Sequence, residues 1–119
     1  LGSNPRGGSM KAVNLTRGAA LHENARVANT LKEKTEGLLK SNADAALFFR
    51  TRWGVHTFGM RFSIDCLVMD ENMKVVALRE RLAPGRVFFW NPRVDNLLEL
   101  PAGMVQRTGT RIGDTITLA

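Results

Sequence analysis

From Ala46 onward, turn residues punctuate the chain about every 8–12 residues, and that spacing limits the fold more than any other feature. Asp70-Glu71-Asn72, Pro84-Gly85, Asn91-Pro92, Pro101-Ala102-Gly103 and Ile112-Gly113-Asp114 each interrupt an apolar run. The stretches between them are too short for packed helices and carry the period of strands. These are Ala46–Thr51, Arg61–Met69, Val75–Leu82, Val87–Trp90, Asn96–Leu100 and Thr115–Leu118. Phe62, Ile64, Cys66 and Val68 alternate along one face of the second of them. Asp70-Glu71-Asn72 reads as the hairpin turn joining it to the third, because Asp and Asn side chains bond their own backbone. Upstream, Ala12–Thr16 alternates as a half-buried strand should, and His22–Asn29 is a weaker strand.

One segment has a different period. In Thr30-Leu31-Lys32-Glu33 the Thr hydroxyl and Glu carboxylate fit a capping box, and Leu31, Lys34, Leu38 and Leu39 follow at helical spacing. The spacing predicts one short α-helix over about 31–40, ended by Ser41-Asn42. Many short strands and one helix make a mainly β fold, a small sandwich or barrel. The chain has 119 residues. Leu1–Ser9, rich in Gly and Ser, reads as a cloning remnant, which leaves 10–119 as a single domain.

Composition narrows the function classes. Hydrophobic residues are 44% and charged residues 24%, a globular balance. A single Cys, Cys66, excludes an internal disulfide framework and a multi-Cys zinc site. No apolar run approaches the ~18 residues of a membrane span, so the expectation is a cytoplasmic protein that does not enter a membrane. The net charge of +6 favours anionic partners, and Arg outnumbers Lys by 12 to 5. Arg brings a planar fork for carboxylate or phosphate that Lys lacks.

The run Trp53-Gly54-Val55-His56-Thr57-Phe58-Gly59-Met60-Arg61-Phe62-Ser63-Ile64-Asp65 resembles the W-x-x-H-T-x-x-M-x-F-x-I-D signature of a bacterial and archaeal family catalogued as domain of unknown function 192. The agreement continues on both sides. Ala28-Asn29-Thr30 and Thr35-Glu36-Gly37-Leu38-Leu39 resemble its A-x-T and R-x-x-G-L-L/M element, with Thr35 at or next to the usual Arg. Leu98-Glu99-Leu100-Pro101-Ala102-Gly103 and Gly109–Asp114 resemble its L-E-L-P-A-G turn and closing G-x-x-x-G-D. The resemblance implies a compact, mainly β domain of jelly-roll-like architecture and assigns no activity.

Chemistry-bearing residues concentrate in the same stretch. Arg50, Arg52, His56, Arg61 and Asp65 are interleaved with Trp53, Phe58 and Phe62. Guanidinium groups there could bind an anion bidentately while Trp53 or His56 stacks on a planar ring. Asp65 could instead orient His56 for proton transfer. On a structural reading, His56-Thr57 caps a tight loop and Asp65 bonds turn amides. Metal binding finds no support: His22 and His56 lie 34 residues apart with no ligand at metal spacing on the same element. Cys66, in an apolar register, reads as a small core residue. Phe88, Phe89 and Trp90 either fill the core or, exposed beside Arg86, stack on bases or enter a partner's groove. Glu99 reads as the partner of an Arg.

The expected function is a non-enzymatic β domain that binds a small anionic ligand, or a carboxylate or phosphate of an acidic protein partner. Its cleft would be lined by Arg52, Trp53, His56, Asp65 and Arg86, with no cofactor. Two other classes stay open: an enzyme using His56 and Asp65 as an acid–base pair, and a nucleic-acid-binding protein driven by net charge.

Overall fold

A computed structural model describes residues 8–28 and 43–119. The helix expected over 31–40 lies outside the described residues. Strands β1 (Ser9–Asn14), β2 (Ala19–Val27), β3 (Ala46–Arg50), β5 (Ile64–Met69), β6 (Val75–Leu82), β8 (Asn96–Pro101) and β9 (Ile116–Leu118) form one sheet in the order β6-β5-β8-β3-β2-β1-β9. All pairs are antiparallel except β2–β3. The short strands β4 (Gly54–His56) and β7 (Val87–Phe89) form a separate two-stranded ribbon. The fold is therefore mainly β, as the turn spacing predicts, and the main sheet curls towards a barrel.

Curling brings the two edge strands together at one end. Lys74 and Thr115 form a bridge, the Ile116 N–H donates to Met73 O at 2.9 Å, and the Val75 N–H donates to Asp114 O at 2.8 Å. Alternation along β3, β5, β6 and β8 then serves two cores. The concave face collects Leu21, Ala25, Leu67, Met69, Leu98, Leu100 and Ile116. The convex face of β3, β8, β5 and β6 collects Leu47, Phe49, Ile64, Cys66, Val68 and Leu97. That second face would be wet in a bare sheet, and Phe88, Met60 and the half-buried Val55, Phe62 and Trp90 cover it. All six residues of β5 are buried, because it has core on both sides.

Two local devices set the shape. The β5–β6 hairpin turns as expected at Asp70, whose Oδ1 accepts the N–H of Asn72 at 2.9 Å and of Lys74 at 3.0 Å. Farther along β6 the register slips, with Cys66 opposite Arg79 but Ile64 opposite Leu82. The extra residue is a β-bulge, and Arg81 takes a positive φ of 51° within it. Without the slip, Leu82 would face away from the second core. A five-residue helix α1 (Met104–Thr108) follows β8, flanked by Gly103 and Gly109, both left-handed.

Candidate functional site

The signature run around His56 folds into the ribbon. Residues Gly54, Val55 and His56 pair with Phe89, Phe88 and Val87 respectively. Alternation turns Val55 and the buried Phe88 towards the convex core and leaves His56, Val87 and Phe89 on the outside. The three consecutive aromatics therefore divide their roles. Phe88 is core, the half-buried Trp90 donates its indole N–H to Val94 O at 3.0 Å, and Phe89 is 68% exposed. Phe89 lies against the backbone of Gly54: a Cβ built there would fall 2.6 Å from the Phe89 Cδ1 and 2.5 Å from the Phe88 carbonyl oxygen. Only glycine permits that approach.

Thr57 ties this ribbon to the next turn. Buried, it donates its hydroxyl to Ala83 O at 2.6 Å and accepts the Arg86 N–H at 2.9 Å. Its own N–H donates to Arg86 O at 2.9 Å, and its carbonyl accepts the Gly85 N–H at 3.0 Å. Four bonds thus fix the Phe58 turn against Pro84-Gly85, bringing His56 and Arg86 to one end of the ribbon. The His56 Nδ1 accepts the Phe58 N–H at 3.3 Å, and the two rings stack at 4.9 Å with an interplanar angle of 23°. In the neutral ring that bond places the proton on Nε2, an outward donor.

Of the five residues singled out from the sequence, the structure brings four to or beside this ribbon. Arg52 and Trp53 immediately precede β4 and are exposed, and Arg86 precedes β7 and is exposed. Among the described residues the Arg52, Arg61 and Arg86 guanidinium groups form no ion pair. Asp65 is elsewhere. It is fully buried in β5, where Oδ1 accepts the Arg81 N–H and Oδ2 the Val105 N–H, each at 2.8 Å. Its carboxylate pins the β6 bulge to α1 and shares no hydrogen bond with His56.

Other groups have structural surroundings. Burial pushes the Cys66 thiol well above its ordinary pKa, and nearby Glu99 and Asp65 add to the shift, so its nucleophilic form is suppressed. Glu99 is buried on the convex face opposite Cys66. No group of three or more His, Cys, Asp or Glu residues among the described ones is arranged to hold a metal ion. A groove of about 380 Å³ lies apart from the ribbon, between His22, Asp44, Phe62, Ser63, Met104 and Arg107. Both His22 ring nitrogens are engaged there, Nδ1 by the Asn24 N–H at 3.0 Å and Nε2 with Asp44 O at 2.6 Å.

One polar cluster escaped the sequence reading. Asp114, in the last turn, accepts Arg17 Nε at 2.9 Å and Nη2 at 3.2 Å, as well as Asn14 Nδ2 at 3.0 Å and the Arg111 N–H at 2.9 Å. The Arg17 bonds, with Asn14 and the Arg111 amide, lower its carboxyl pKa to about 2. Its side-chain partners Asn14 and Arg17 are 100 and 97 residues away in sequence, so only the fold assembles it.

The family model for DUF192, described as Uncharacterized ACR, matches residues 12–118. The chain belongs to this family. A UPF0127 protein from Thermococcus sibiricus is 30% identical over 111 residues, covering 87% of this chain and 71% of its own. A UPF0127 protein from Pyrococcus horikoshii is 27% identical over 110 residues, covering 87% and 95%. Among solved structures, a "putative transcription regulator" from Sinorhizobium meliloti superposes with a TM-score of 0.72 at 18% identity, over 93% of this chain and 92% of that one. A protein of unknown function from Novosphingobium aromaticivorans gives 0.73 at 14% identity, over 92% and 83%. At those identities the likeness is one of fold. DUF192 membership agrees with the resemblance drawn from the signature run and assigns no activity. No helix among the described residues is long and apolar enough to cross a membrane.

Proposed function

We propose that this chain is a non-enzymatic binding domain, and that the outer face of the β4–β7 ribbon holds an anionic group of its ligand or partner. One observation carries the reading. Eight large hydrophobic residues are exposed among the described ones, and four of them, Trp53, Phe58, Val87 and Phe89, lie on or beside this ribbon. Exposed apolar side chains concentrated on one element are a usual mark of an interaction site. The exposed Arg52, Arg86 and His56 Nε2–H beside it supply donors that suit a carboxylate or phosphate. Binding is favoured over proton transfer because both Asp65 oxygens already serve backbone amides, so Asp65 does not orient His56. A cytoplasmic location accords with a lone unpaired thiol, Cys66.

Calorimetric titration with inorganic phosphate, repeated on Arg86→Ala and His56→Ala, tests the reading. Both residues are exposed, so both variants should fold. Saturable binding weakened at least severalfold by each substitution is expected. Binding that neither substitution changes, or none to the parent chain, would overturn it.

A further inference from the structure

The ribbon's rings are held in place, which is unusual for exposed apolar side chains. Phe89, 68% exposed, lies where the Gly54 Cβ would be, and Phe58, 54% exposed, is stacked on His56 at 4.9 Å. Free in water, such rings would gain entropy by rotating among rotamers. Braced, they form surfaces ready to receive a flat partner without a further ordering penalty. Trp53, 71% exposed, adjoins the same strand. Along a strand, side chains on one face repeat every two residues, about 6.6 Å. His56 on β4 and Phe89 on β7 are diagonal neighbours on the outer face, which sets them roughly 7–8 Å apart. Arg52 precedes Trp53, Arg86 precedes Val87 and Arg61 lies three residues beyond Phe58, all three exposed, in a chain of net charge +6.

Exposed planar rings on an element that also carries exposed guanidinium groups match one chemistry closely. Bases stack on the rings and phosphates meet the arginines, with little regard to base identity. An acidic peptide would use the arginines but would have no need of ring faces held flat.

Resting on the reading of this face as an anion-binding surface, we infer that its ligand is single-stranded nucleic acid, with bases stacked on Phe89 and on the Phe58–His56 pair. Recognition is by stacking and charge, so it tolerates sequence. The ribbon is only three residues per strand, and it engages a few nucleotides rather than a long tract.

The test is fluorescence anisotropy with labelled oligo-thymidylate and oligo-adenylate of about ten nucleotides, in about 50 mM and 200 mM salt. Phe89→Ala, Phe58→Ala and Arg86→Ala are compared with Ile112→Ala, which removes an equally exposed apolar side chain outside the ribbon (64% exposed). Saturable binding to both oligomers is expected, with Kd raised roughly 5- to 100-fold by each Phe substitution. Arg86→Ala should reduce the slope of log Kd against log salt by about one. Ile112→Ala should bind as the parent does. Circular dichroism of each variant separates lost binding from lost fold. Absence of oligomer binding, or binding that survives loss of both Phe rings, overturns the inference. If inorganic phosphate binds the ribbon while oligomers do not, nucleic acid is excluded and the anion-binding reading stands. If neither binds, both fall.

Discussion

Asp65 allows the structural and catalytic readings of the signature run to be separated by a stability measurement. Its carboxylate is fully buried and accepts two backbone N–H groups at 2.8 Å, one from the bulge at Arg81 and one from Val105 in α1. Hydrogen bonds to a charged acceptor contribute about 1.5–3 kcal/mol each, so the pair together contributes about 3–6 kcal/mol. Asp65→Asn keeps one acceptor oxygen and sets an amide NH2 against the other backbone donor. It should therefore destabilise by one such bond plus a donor–donor conflict, about 2–4 kcal/mol. Asp65→Ala leaves two buried N–H groups unpaired and should reach the upper end of the range. Equilibrium urea unfolding at neutral pH measures this directly. With a slope of about 1–3 kcal/mol per molar, Asp65→Asn should lower the midpoint by about 0.7–4 M. Amide exchange adds a local readout, since protection should fall first at Arg81 and Val105. A midpoint within about 0.3 M of the parent, with those two amides unchanged, would refute the assignment of Asp65 as the pin between bulge and helix.

Three further outcomes follow from particular contacts. Asp114→Asn should destabilise by about 1–2 kcal/mol near neutral pH, a figure discounted because the Arg17 side chain is 34% exposed. The folded carboxyl pKa, about 2, lies below the ordinary 3.8, so this contribution is complete above about pH 5 and lost as pH falls towards 2. Denaturant midpoints of parent and variant should accordingly converge in acid. Gly54→Ala would place a methyl group 2.5 Å from the Phe88 carbonyl oxygen, and should force β4 from β7 at about 1–3 kcal/mol, read by thermal unfolding. Thr57→Val keeps the shape but removes the hydroxyl that serves Ala83 and Arg86, and should give about 1–3 kcal/mol with faster exchange at the Arg86 amide.

The strands were legible because burial on one or both faces leaves a period of two in the sequence. Val75–Leu82 matches its predicted bounds, and Asp70 makes the turn that its side chain predicts. The ribbon strand Gly54–His56 was not legible, since three residues carry too little periodicity to distinguish a strand from a loop. Helix α1 was missed for a similar reason: five residues bury one side chain, Val105, and only the glycine at each end could have signalled it. For the site, Arg52, Trp53 and His56 are close in sequence, and the pairing of β4 with β7 sets Arg86 beside them. Asp65 stood in the same motif, but its direction depends on the pleat and on a bulge formed by Arg81, sixteen residues away. The consecutive Phe88, Phe89 and Trp90 could be sorted into core and surface only once the pairing with Gly54–His56 was known. The Asn14–Arg17–Asp114 cluster depends on the long-range pairing of β1 with β9.

The most direct test of the ribbon as the binding face is an amide-resolved NMR titration with inorganic phosphate at low salt. Saturable shifts confined to Arg52–Phe58 and Arg86–Phe89 are predicted, with those of His22, Ser63 and Arg107 around the separate groove unmoved. Shifts centred on that groove, or none on the ribbon at saturating phosphate, would contradict the account.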